Sequence, residues 1–205
     1  MLDRRHEPRA TSTFKSAYVR TQSGLFYVTL RNVSDSGVCL DAYPGAAEGD
    51  EIQYCFDSAG PRTGVVKWVK EGRFGVSAEP DSSVNGSPQI FPPRSVRLPL
   101  SFSANLFVNG RQEGVTISNL SIRGACISSP YEFRAGQLVS LKIADRCFEL
   151  ATIRWARQGC AGVRFAEPMH PGEFRSLVER LQQPPVHSRP HASPAQQPAL
   201  SGMTT

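Results

Sequence analysis

No stretch of this chain stays apolar for the roughly 18–20 residues that a bilayer crossing needs. The opening MLDRRHEPRATS has no apolar segment after its charges, so a secretory signal is not expected. Histidine is scarce: His6, His170, His187 and His191 are the four, and none stands at metal-ligand spacing or beside a nucleophile and an acid. There is no phosphate-binding P-loop and no glycine fingerprint for a dinucleotide. These gaps argue against an enzyme and leave neither a cofactor nor a metal to expect. The five cysteines (Cys39, Cys55, Cys126, Cys147 and Cys160) are odd in number and form no CxxC pair. That speaks against a disulfide framework or a zinc site, and for buried free thiols in a reducing cytoplasm. With 205 residues, 40% hydrophobic and 20% charged, the chain suits one ordinary folded domain or two small ones.

The net charge is +5, unevenly placed. Residues 1–80 carry ten basic and ten acidic side chains, whereas residues 81–169 carry ten basic and six acidic ones. The basic surface therefore belongs to the second half. The bias is compatible with an acidic partner and too small to imply nucleic acid.

An internal duplication explains the length. RNVSDSGVCLDA (31–42) and SNLSIRGACISS (118–129) match at an offset of 87, pairing Asn32 with Asn119, Ser34 with Ser121, Gly37 with Gly124 and Cys39 with Cys126. The same offset aligns VKWVKEGRFGV (66–76) with IRWARQGCAGV (153–163), including Trp68 with Trp155. Each copy reads as short strands that alternate apolar and polar residues between Gly-rich turns, which suggests a small antiparallel barrel. Both tryptophans sit mid-strand and are expected in the core or the barrel wall. One helix is expected, PGEFRSLVERLQ (171–182), with Phe174, Leu177, Val178 and Leu181 at helical spacing. The divisions are then 1–80 for the first barrel, 81–93 for a Ser/Gly/Pro linker, and 94–183 for the second barrel with its helix. Residues 184–205, rich in Pro, Ser and Gln, read as a disordered tail.

Two signals of the first copy carry chemistry. RHEPR puts Arg5 and Arg9 on an extended arm before the first strand, and NVSDSG puts Asn32, Ser34 and Gly37 at a turn between strands. With this order and spacing the sequence resembles the PilZ domain family, receptors for the bacterial second messenger cyclic di-GMP, marked by an RxxxR arm and a [D/N]xSxxG turn. The resemblance implies two six-stranded barrels in an essentially all-β fold, the second closed by a C-terminal helix. It also implies that Arg5 and Arg9, with Arg4 as a further candidate, meet the ligand together with Asn32, Ser34 and Gly37. The chemistry agrees: guanidinium groups pair with phosphate oxygens and with the O6/N7 edge of guanine, and an Asn amide offers a donor and an acceptor.

The second copy keeps Asn119, Ser121 and Gly124. Aligning Phe14 with Phe102 sets Arg97 over Arg9, but Pro93 falls where Arg5 should be and Arg94 is one residue out of place. Either this copy binds weakly through Arg94, Arg97, Asn119, Ser121 and Gly124, or it has lost the ligand and offers a basic docking surface. The damaged arm favours the latter. The expected function is a cyclic di-GMP receptor that passes its signal to a partner protein. The rivals are a small barrel binding single-stranded nucleic acid, with Trp68 and Trp155 as stacking faces, and an adaptor whose two ligand sites are silent.

Overall fold

Alternating strands can bury an apolar face only by closing on one another or on a neighbour, and this chain does both. The structure, a computed structural model, describes residues 11–34, 37–57, 59–78 and 95–183. Arg4, Arg5, Arg9, Arg94, the expected linker and the expected tail lie outside them. The first copy contributes β1 (Thr11–Thr21), β2 (Gly24–Ser34), β3 (Gly37–Asp41), β4 (Glu51–Cys55), β5 (Arg62–Lys70) and β6 (Arg73–Ala78). The second contributes β7 (Phe102–Val108), β8 (Arg111–Ser121), β9 (Gly124–Ser128), β10 (Leu138–Ile143), β11 (Arg146–Arg157), β12 (Cys160–Arg164) and then α1 (Pro171–Gln182). Each set closes into an antiparallel barrel with the same strand order, 1-2-3-6-5-4 in the first and its equivalent in the second. The hairpins KEGR and RQGC turn through Glu71–Gly72 and Gln158–Gly159, all four with φ between 50° and 73°. Left-handed backbone at both central residues matches the twist of the flanking strands, hence Gly at the second.

Barrel one fills its interior with Ala17, Val19, Val28, Leu30, Leu40, Ile52, Tyr54, Val66, Phe74 and Val76, all of them buried. The alternate residues of β1, β2 and β4 would normally face water. Here Tyr18, Leu25, Tyr27 and Cys55 are buried as well, in the cluster that contains the interior of barrel two. The link is α1, which is where the periodicity places it. Phe174, Leu177 and Val178 are buried, and the Phe174 ring meets Tyr27 edge-on at 4.9 Å. Gln182 completes the junction: its Nε2 donates to the Leu25 carbonyl (2.6 Å) and its Oε1 accepts from the Leu25 N–H (2.7 Å). His170 caps α1 by accepting from the Gly172 N–H, and Glu173 in the first turn is bound by Arg146 at 2.9 Å.

One expectation is corrected. Only Cys39 and Cys55 are buried; Cys126 and Cys160 are half-buried and Cys147 is exposed. None of the five lines a barrel interior, and Cys55 is buried because it joins the cluster that contains the interior of barrel two. Of the two places expected for the tryptophans, core or barrel wall, they occupy the wall, for a reason given below.

Truncating Phe174 to Ala empties the centre of this junction. It should cost about 3–5 kcal/mol, read as a lowered denaturant midpoint, and the loss should exceed that of Leu181→Ala at the half-buried edge of the helix. A second expectation concerns alkaline pH. Burial, aided by the Asp50 carboxylate that accepts from its hydroxyl at 3.3 Å, pushes the Tyr43 phenol from 10.0 up to about 12. The folded state thus favours the neutral phenol, so the stabilisation is complete below pH 10 and is lost as pH rises towards 12. Tyr43→Phe should remove that part of the alkaline decline in thermal midpoint.

Candidate functional site

The site residues are placed by two one-residue bulges. On β2, Leu30 pairs with Leu40 but Asn32 pairs with Cys39, so Arg31 is an extra residue. On β5, Val66 pairs with Val76 but Trp68 pairs with Gly75, so Lys67 is extra. Strict alternation would send Asn32 inward after Leu30 and Trp68 inward after Val66. Each bulge reverses the faces beyond it. Asn32 is therefore exposed, and Trp68 keeps 43% of its surface on the outside of the barrel. The tryptophan belongs to the outer wall, and a period-two reading that ignores the bulge puts it inside.

The pairings line up one row across four strands: Asn32 beside Cys39, Cys39 beside Gly75, Gly75 beside Trp68. Gly75 has a specific job here. A Cβ on it would overlap the Trp68 indole, so the ring lies across the glycine. Burial pushes the Cys39 thiol above its ordinary value, against the pull of Arg73, which keeps it neutral within the row. Alongside, Arg31 grips Asp41 with two bonds, Nε to Oδ1 at 2.6 Å and Nη2 to Oδ2 at 3.1 Å, and its guanidinium lies 5.0 Å from the centre of the Phe14 ring. Hydrogen bonding to Asp41 raises the Arg31 pKa further. Phe14 is 75% exposed.

Ser34 pairs with Gly37 across the turn, and its hydroxyl donates to the Gly37 carbonyl at 3.2 Å. A Cβ at Gly37 would run into the Val76 carbonyl oxygen on β6, so glycine is required by close approach of the neighbouring strand. The first strand starts beside this turn: Thr11 pairs with Val33 and Ser12 with Asn32. Arg9 is thus two residues upstream of a strand bonded directly to the turn.

Barrel two repeats the row as Asn119, Cys126, Gly162 and Trp155, with the bulges at Ser118 and Arg154. The Trp155 ring lies across Gly162, and the Arg157 guanidinium is 5.3 Å from its centre. Ser121 is buried; its hydroxyl donates to the Gly124 carbonyl (3.1 Å) and accepts from the Arg123 N–H (3.3 Å). A Cβ at Gly124 would meet the Val163 carbonyl oxygen just as at Gly37.

The register also corrects the arm alignment. Lys15 pairs with Leu30 where Phe102 pairs with Ile117, so Phe102 matches Lys15 and not Phe14. Likewise Thr11 pairs with Val33 where Leu98 bridges Leu120. Arg97 then matches Ala10, and the counterpart of Arg9 is Val96, which is buried. The structure brings exposed Arg97 beside β8, anchored by the Leu98 N–H to the Leu120 carbonyl (2.8 Å) and its return bond (3.0 Å). Sequence reasoning missed Arg31, Asp41 and Phe14 entirely. For Trp68 and Trp155 a signal existed: each stands seven residues before a glycine in both repeats.

Two small barrels, each carrying this turn on its wall, define a class, and the sequence comparison names it. The family model of the PilZ domain matches residues 3–86 and 93–183. The chain belongs to the PilZ domain family, in tandem form. No curated protein matches it. Among solved structures it is similar to the PlzA protein of Borreliella burgdorferi in complex with c-di-GMP, with 12% identity over 86% of this chain and 94% of that one and a TM-score of 0.36. It is also similar to YcgR from Escherichia coli in complex with c-di-GMP (11%, 82% and 81%, TM-score 0.33). The PilZ domain of CeSA from a cellulose synthesizing bacterium matches at 21% identity over 43% of this chain and all of that one, with a TM-score of 0.34.

The Trp–Gly contact makes a direct test. Gly75→Ala should leave the thermal midpoint within a few degrees, since the half-exposed ring can swing away, yet change Trp68 fluorescence. Gly37→Ala meets only the backbone of β6, which cannot swing away, and should be the more destabilising of the two in urea denaturation.

Proposed function

We propose that the chain is a receptor for cyclic di-GMP that binds the dinucleotide on barrel one and passes the signal to a partner protein. One observation supports the reading: the strand that follows RHEPR in sequence pairs with the edge of the turn that holds Asn32 and Ser34, Thr11 lying opposite Val33. Arg5 and Arg9, with Arg4 beside them, then supply guanidinium groups for two phosphates, and Asn32 reads a guanine edge. Trp68, held flat across Gly75 in the same row, offers a purine a stacking face. Gly37 keeps the turn close to β6, and Ser34 braces it through the Gly37 carbonyl. The reading assigns no chemical step to the chain. What the ligand gains from these arginines is charge-assisted bonding.

Each lost arginine contact should cost on the order of 1.5–3 kcal/mol, or roughly ten- to hundred-fold in affinity. Arg5→Ala and Arg9→Ala should each weaken calorimetric binding of cyclic di-GMP by that factor while leaving the thermal midpoint of the free protein unchanged. Unaltered affinity in the double variant would refute the assignment.

A further inference from the structure

Barrel two has lost the paired arginines of its arm but has gained arginines on its wall. Arg164 on β12 pairs with Gly124, and Gly124 pairs with Ser121 on β8. Antiparallel continuation from the Leu98–Leu120 bridge sets Arg97 opposite Ser121 on the other side. One row of the outer wall therefore reads Arg97, Ser121, Gly124, Arg164, its two arginine backbones about three strand spacings, or roughly 14 Å, apart. Arg123 lies in the turn itself. All three arginines are exposed, and none forms an ion pair among the described residues. Between them the floor is low: a buried serine and a glycine that tolerates no side chain. The adjoining row supplies Asn119 and, across Gly162, the Trp155 ring.

Barrel one has none of these cations. The repeat positions of Arg97, Arg123 and Arg164 are Ala10, Ser36 and Ser77. At these positions the exchange is reciprocal in sequence: barrel one has the arm pair and no arginine at the three wall positions, and barrel two has the three wall arginines and not the arm pair. Like charges left unpaired around one small floor repel each other, and a multiply charged anion relieves that repulsion. An acidic peptide would satisfy the cations but has no use for an amide and an indole in the next row. A phosphate carrying a purine uses all of them.

We propose that barrel two holds a second, arm-independent nucleotide site. Arg97, Arg123 and Arg164 take the phosphates, and Asn119 and Trp155 take a guanine base. The ligand is a further molecule of cyclic di-GMP, and to that extent the inference rests on the function proposed above. The fold sets all three cations: Arg164 sits on β12, Arg97 beside the bridging Leu98, and Arg123 in a turn held by Ser121.

The chain has two tryptophans, one in each site, so the sites can be read separately. In full-length Trp68→Phe protein, cyclic di-GMP should change Trp155 fluorescence in a saturable way. Adding Arg123→Ala and Arg164→Ala should weaken that response at least about tenfold, and adding Arg5→Ala and Arg9→Ala should not alter it. In full-length Trp155→Phe protein the dependence on the two pairs should reverse. Both wall arginines are exposed and unpaired, so their removal should leave the thermal midpoint unchanged. A silent Trp155 beside a responding Trp68 overturns the second site and leaves the receptor reading intact. A responding Trp155 beside a silent Trp68 does the opposite. Silence at both sinks the two together, and a Trp155 response lost with the arm arginines also overturns the proposal.

Discussion

The functional surface depends on one backbone feature: a single extra residue inserted in each of two strands. Without the bulge at Arg31, Asn32 would follow Leu30 into the barrel, and a buried amide there would lack partners at a cost of about 1–3 kcal/mol. Without the bulge at Lys67, the indole of Trp68 would compete with Phe74 and Val76 for an interior that is already filled. The bulges are paid for in local ladder hydrogen bonds and return a row in which an amide and an aromatic ring flank a thiol and a glycine. Their recurrence at Ser118 and Arg154 shows that this row was built before the copies diverged.

The second determinant is β2, a strand buried on both sides along its first half. Val28 and Leu30 point into barrel one, while Leu25 and Tyr27 pack against the helix that follows barrel two. The repeat equivalents of Tyr18, Leu25, Tyr27 and Cys55 are Asn105, Gln112, Gly114 and Lys142, all exposed, with Gln112 bonded to Asn105 at 3.2 Å. Barrel two thus offers a helix but no apolar face to receive one. The same strand that anchors the junction at Leu25 ends in the turn at Ser34, so junction and site share one rigid element.

Much of this was legible in the residues. A constant offset exposed the duplication, alternation exposed the strands, and the i, i+3, i+4, i+7 stripe located α1 to the residue. What alternation could not show was the bulges, since an extra residue leaves no mark in composition, and so it could not choose between core and wall for the tryptophans. The arm alignment failed for a related reason. Phe14 and Phe102 look equivalent by type, but pairing with β2 and β8 decides equivalence, and by pairing Phe14 matches Ser101. The cysteines were misjudged because burial of a thiol on the outer face depends on what packs over it, as the neighbouring cluster does over Cys55. The contact of barrel one with α1 joins residues 157 apart in sequence, Leu25 and Gln182, and no local pattern announces it.

The turn motif itself needs to be read with care, because two of its three residues are fixed by the fold. Gly37 and Gly124 are glycines since a neighbouring carbonyl leaves no room for a Cβ, with or without a ligand. Ser121 is buried and spends its hydroxyl on the Gly124 carbonyl and the Arg123 N–H, and Ser34 makes the first of these bonds in barrel one. Their presence in both copies follows from the needs of the turn and says little about binding. The discriminating residues are those the barrel does not require: Asn32 and Asn119 on the surface, the two indoles, and the arginines. By that measure the copies differ less than the damaged arm suggests. Each keeps its amide and its ring, and barrel two carries exposed guanidinium groups on the wall beside its turn.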